Sequence, residues 1–89
     1  MDMFIHYTAL PQGLTLEDAV EGLNHAMDDG GRVNGGQRLE AGGRIDLELE
    51  EENVNPKLAQ GAVKVYLQKA GFPRDTVLEL GGMTIGLYE

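Results

Sequence analysis

Two histidines and one row of carboxylates are the side chains here best suited to chemistry. The row is Asp46, Glu48 and Glu50, interleaved with Ile45, Leu47 and Leu49 and running on into Glu51 and Glu52. An imidazole beside two carboxylates can hold a divalent cation. Two carboxyl groups can serve as general acid and base, provided that one has its pKa raised in an apolar pocket. A row of carboxylates at every second strand position, about 6.5–7 Å apart, can instead imitate the phosphates of a nucleic-acid strand and fill a basic groove. Nucleophilic catalysis finds no support. The chain has no serine and no cysteine, and its threonines stand in no motif that pairs them with a base.

The catalytic and metal readings weaken on inspection. His25 lies one helical turn from Glu21 and from Asp29, the spacing of ordinary surface pairs. His6 could meet Asp46 and Glu48 if its strand lay beside theirs, but on an open strand face all three stay hydrated. The glycine-rich stretch from Gly30 to Arg38 suggests an anion-cradling nest. It lacks the Gly-Lys-Ser/Thr ending of a phosphate loop and opens no helix, so its glycines are expected to serve turns and a bulge. The expectation is a binding protein without catalytic residues, cofactor or bound metal.

The positions of these residues depend on the elements that carry them. Residues 44–50 alternate strictly, which sends three aliphatics to one side of a strand and the acids to the other. Residues 3–9 read as a first strand, with Met3, Ile5 and Tyr7 on one face and Phe4, His6 and Thr8 on the other. Thr15 can cap a helix whose apolar stripe is Leu16, Ala19, Val20, Leu23 and Met27. Its outer face carries Glu17, Glu21, Asn24, His25 and Asp28, and Gly30-Gly31 should stop it. Asp28 and Asp29 sit in its last turn, where the helix dipole disfavours negative charge. Residues 30–36 read as a loop, followed by a short second strand near Gln37–Glu40.

Asn55-Pro56 should open a second helix, with Leu58, Ala59, Ala62, Val63, Tyr66, Leu67 and Ala70 turned inward. Gly71-Phe72-Pro73 should end it. Two last strands meet at a Gly81-Gly82 turn, pairing Leu80 with Met83 and Leu78 with Ile85. Leu78, Leu80, Met83, Ile85 and Leu87 then share the core face.

The order βαββαββ predicts an α+β domain spanning residues 1–89, a single antiparallel sheet with two helices on one face. It resembles the ferredoxin-like βαββαβ sandwich with an added C-terminal strand, a likeness of fold that implies little about function. Eighty-nine residues suit one core. Without cysteine, a reducing compartment is the default. No run is long enough to span a bilayer, and the start lacks the features of a secretion signal. The chain is expected to be cytoplasmic and complete.

Fifteen acids against seven bases give a formal charge of −8. Such a chain repels nucleic acid and anionic membrane surfaces and attracts basic proteins. The expected contact surface is the open sheet face, with Asp46, Glu48, Glu50 and Glu79 and with His6 and Tyr88 among them. Glu17, Glu21, Asp28 and Asp29 form a second acidic patch. Small, acidic, cysteine-free proteins of this kind resemble toxin antidotes and phage anti-defence proteins. The expected function is therefore an inhibitor or immunity protein that blocks a basic, nucleic-acid-handling partner. The alternative is a homodimeric regulatory module or one that binds a small ligand or anion.

Overall fold

The alternation at residues 44–50 becomes the middle of a sheet. The computed structural model describes residues 1–40, 42–50 and 56–88, the side chains of Asp29 and Pro56 excepted. Its elements are β1 (Asp2–Tyr7), α1 (Leu16–Met27), a 3-10 turn (Asp28–Gly30), β2 (Gly31–Leu39), β3 (Gly42–Leu49), α2 (Pro56–Ala70), β4 (Val77–Leu80) and β5 (Met83–Gly86). The strands form one sheet in the order β2-β3-β1-β4-β5, and every neighbouring pair is antiparallel. The class is α+β, with a single antiparallel sheet and two helices.

Ile45, Leu47 and Leu49 lie across from Ile5, Met3 and the N-terminal backbone, and all five side chains are buried. Leu78 joins them from β4, and Ala19, Leu23, Met27, Ala59, Val63 and Leu67 close the core from the helices. Both helices thus cover the same side of the sheet. Phe72 fills one end, meeting the Tyr7 ring edge to face at 6.0 Å.

Local chemistry sets the helix ends. Thr15 and Asp18 form a reciprocal capping box, Thr15 Oγ1 accepting from the Asp18 N–H and Asp18 Oδ2 from the Thr15 N–H. At the end of α2, Gly71 adopts φ +90. The Phe72 N–H reaches back to the Leu67 carbonyl and the Gly71 N–H to Gln68, the paired bonds of a Schellman ending. The β4–β5 turn pairs Leu80 with Met83 and Leu78 with Ile85, as its glycines predict. The Asn55 cap lies outside the described residues.

Four expectations need correction. Residues 31–36 are not a loop: β2 runs from Gly31 to Leu39 and pairs with β3 throughout, with a bulge between Val33 and Gly35. Glycine's low strand propensity gave way to the ladder offered by β3 and to cover from α1, where Asn24 Oδ1 accepts the Val33 N–H at 2.8 Å. The first helix ends at Met27 rather than at Gly30-Gly31. Leu58 and Met83 fit the apolar period but are exposed. The first strand ends at Tyr7, and Thr8 turns away to bond Asp75.

Gly42 opens β3 at φ +122, and a Cβ there would collide with the Tyr7 carbonyl. Gly42→Ala is therefore expected to destabilise the fold by about 2 kcal/mol, by backbone strain together with the clash. Gly61, on α2, has open space around it. Gly61→Ala should stabilise by about 0.5–1 kcal/mol through helix propensity. Urea denaturation of the two variants checks both signs.

Candidate functional site

The open face of the sheet collects side chains from four strands. Phe4 faces Asp46 on one side and Glu79 on the other, His6 faces Arg44 and Val77, and Asp2 faces Glu48. Arg32 reaches this face from β2, beside Glu48. Asp46, Glu48, Glu79 and His6 therefore share one surface, as their spacing predicts.

Their charges are not left to themselves. The Arg44 guanidinium donates to both oxygens of Asp46, at 2.7 and 3.3 Å, and stacks over the Phe4 ring with its centre 5.4 Å from the centroid. Arg32 donates to Glu48 at 3.0 Å, and His6 Nε2 lies 3.0 Å from Glu79 Oε1. These groups are a third to three-quarters exposed, so each pair contributes only about 0–1 kcal/mol to stability. The consequence for recognition is larger. Each of the three acids carries its own cation or imidazole, and the face presents mixed charge rather than a uniform negative row.

One expected member lies elsewhere. Tyr88 follows β5 in a turn, and its hydroxyl donates to the Phe72 carbonyl at 2.7 Å. It ties the C-terminal segment to the end of α2 instead of joining the acids. Glu50 lies just past β3, where its N–H donates to the Gly30 carbonyl. Glu51 and Glu52 lie outside the described residues. His6 does not meet both Asp46 and Glu48, since it stands opposite Arg44. Among the described residues no three of His, Asp and Glu gather as a metal site.

The second patch has a different character. Residues 16–30 contain Glu17, Asp18, Glu21, Asp28 and Asp29 and no lysine or arginine. Glu17, Glu21 and Asp28 are exposed and, among the described residues, have no ion-pair partner. Asp18 is engaged in the cap, and the Asp29 side chain lies outside the described positions. Residues 56–70 have the opposite balance, with Lys57, Lys64 and Lys69 and no acid. The helical layer is thus acidic along one helix and basic along the other.

Asp28 is also conformationally odd. It adopts φ 52 and ψ −121, and no other described non-glycine residue has a positive φ. A positive φ is costly for a residue with a Cβ. The residue also places a negative charge at the carboxyl end of the helix dipole. Two local rules are broken at one acid.

Compared with protein-family models, curated proteins and solved structures, the chain matches none.

Sequence reasoning missed the cations that neutralise the sheet face. Arg44 and Asp46 lie two apart on one strand, so their meeting was readable from parity alone. Arg32 was not, because its position depends on the full length of β2. No helix among the described residues is long and apolar enough to cross a membrane.

Asp28→Gly is expected to raise stability by about 0.5–1 kcal/mol. Relief of the positive-φ strain and of the dipole term outweighs the added freedom of the unfolded chain. Thermal melts at neutral pH provide the check. A fall in melting temperature would mean that Asp28 makes a net stabilising contribution.

Proposed function

We propose that this protein is a non-enzymatic inhibitor of immunity or anti-defence type, acting in the cytoplasm. It blocks a basic, nucleic-acid-handling protein by charge and shape. The contact surface is the outer face of α1 with the 3-10 turn that follows it, and the open sheet face plays a lesser part. The observation that carries this reading is the line of exposed carboxylates Glu17, Glu21 and Asp28, which have no ion-pair partner among the described residues. By contrast, Asp46, Glu48 and Glu79 are each matched within the sheet.

An uncompensated acidic helix gives a field that steers a cationic partner into contact and loses its reach as salt rises. The strain at Asp28 supports the same choice, because an acid kept against local preference is expected where function requires it. For the fold, we propose the ferredoxin-like sandwich, with β3 and β1 in the middle, β2 and β4 flanking them, and β5 added beyond β4.

A homodimeric regulatory module is the second reading, and the charge pairing favours it more than the composition alone does. Two sheet faces whose acids are already matched would not repel strongly, and the half-buried Phe4 would add apolar contact between them.

The test is affinity capture from the native host, or from a cell that the protein disarms, with the prey identified by mass spectrometry. Three baits are used: the unaltered protein, Glu17→Lys with Glu21→Lys, and Asp46→Lys with Glu48→Lys. The α1 pair should lose the prey by at least about tenfold in affinity, equivalent to 1.4 kcal/mol. The sheet pair should retain most of it, and both should keep the far-UV circular dichroism of the parent. Undiminished capture by a folded α1 variant would reject the surface. A salt-insensitive dimer that the sheet variant breaks would favour the second reading.

A further inference from the structure

We infer that the helical layer binds a second copy of this chain, with each α1 laid antiparallel over the α2 of the other. The charges divide cleanly between the two helices. Residues 16–30 hold five acids and no lysine or arginine, and residues 56–70 hold three lysines and no acid. A surface with one sign on each half is its own complement. A half-turn about an axis along the groove between the helices sets acid over base twice. This contact lies on the side of the molecule opposite the open sheet face, and it does not depend on the inhibitor reading.

The order of the charges along the helices fits as well. Within one chain Gly22 lies against Tyr66, and Ala26 and Met27 share a groove with Leu58, Ala59 and Ala62. The helices are therefore antiparallel, with Asp28 near the start of α2 and Glu17 near its end. The half-turn keeps those levels, so Glu17, Glu21 and Asp28 pass over Lys69, Lys64 and Lys57 of the second copy in that order. At 1.5 Å per residue the acids are spaced by about 6 and 10.5 Å and the lysines by about 7.5 and 10.5 Å. The dipoles of the facing helices are opposed, which is the favourable arrangement. Lys57 and Lys64 also interact within their own chain, and their flexible four-carbon stems let an ammonium group be shared.

Apolar surface lies between the charges. Leu58 and Val65 stand two turns apart on the outer side of α2, 69% and 49% exposed, with the exposed Gly61 between them. Beside them opens the groove, about 280 Å³, lined by Ala26, Met27, Asp28, Gly30, Leu58, Ala59 and Ala62. The half-turn brings Leu58 of the second copy to this same groove. Contact with a copy would cover apolar side chains that the single chain leaves open to water.

The dimer is weak. Two helices about 20 Å long and each about 10 Å wide offer roughly 400 Å² per copy, half of a standard interface. The net charge of −8 also repels two copies at long range. A Debye length of about 10 Å at 0.1 M salt screens that repulsion, while charges a few ångströms apart across the contact still attract. Because α1 belongs to both surfaces, a second copy and a basic partner exclude one another.

The test is sedimentation equilibrium of the full chain in about 0.1 M salt. The parent should dimerise with a Kd of about 10–100 µM. Glu17→Lys with Glu21→Lys, and separately Lys64→Glu with Lys69→Glu, should each weaken self-association by about tenfold or more. The first pair makes the chain less acidic, so net repulsion cannot explain its loss of the dimer. Mixed in equal amounts, the two variants should form a heterodimer about as tight as the parent, because both contacts are then opposite in sign. Leu58→Ser should weaken the dimer by about fivefold or more and leave the far-UV circular dichroism unchanged. A parent that stays monomeric at about 500 µM, a mixture of folded variants that stays monomeric, or a dimer undiminished in about 1 M salt would overturn the inference. So would a dimer broken by Asp46→Lys with Glu48→Lys and untouched by the helix variants, since the sheet face would then be the contact.

Discussion

Everything in this molecule leans on β3 being paired along both edges. β1 and β2 bond to it from opposite sides, so its backbone is satisfied by its neighbours over most of its length. Its period-two pattern then leaves no freedom of register. A slip of one residue would move Ile45, Leu47 and Leu49 into water and Arg44, Asp46 and Glu48 under the helices. Burying those charges without partners would cost far more than a domain of this size has to spare. The register is therefore set by side chains, and β1 and β2 inherit it.

The same constraint explains why the sheet face is electrically quiet. A strand that alternates strictly must put all its charged residues on one side, and self-repulsion there is best relieved by neighbours. Arg44 does this from within β3, Arg32 from β2, and His6 from β1 towards β4. α1 has no such need. Its outer face looks into solvent, where Glu17 and Glu21 cost little, and so its charge survives uncancelled. Net charge alone could not separate these two surfaces, since both are rich in acid; only the cross-strand pairing does.

Much of this fold was legible from the residues because local and long-range preferences agree. The alternation of β3, the Thr15 cap, the Gly71 stop and the glycine hairpin at 81–82 each name a structure that the packing then accepts. The failures lie where the two disagree. Gly31 to Gly36 have poor strand propensity and form a strand because β3 offers bonds on one side and Asn24 of α1 closes part of the other. No window of sequence around Gly35 contains that information. The Tyr7 hydroxyl, which has no hydrogen-bond partner among the described residues, was equally hidden. Its position in the core face could be read from parity, but its lack of a partner depends on Gly43 and on how far the β2–β3 hairpin extends. Leu58 and Met83 fit the apolar period and still lie outside, because periodicity reports a face without saying whether anything covers it.

The groove lined by Tyr7, Leu14 and Arg38 at the hairpin end of the sheet and the acidic surface share one element, the first turns of α1, where Leu16 forms a wall of the first and Glu17 begins the second. Sharing an element couples two sites only if that element has two positions to choose between. α1 shows signs of having one. Its start is held by the reciprocal bonds of Thr15 and Asp18, and its middle by Tyr66, whose ring lies where a Cβ on Gly22 would stand. Its far end is tied by Asn24 to the edge of β2. A helix held at three levels is a rigid platform, so no second placement of Glu17 and Glu21 stands ready to be selected. The same rigidity would favour recognition along α1, since carboxylates on a fixed helix lose little freedom on meeting a partner.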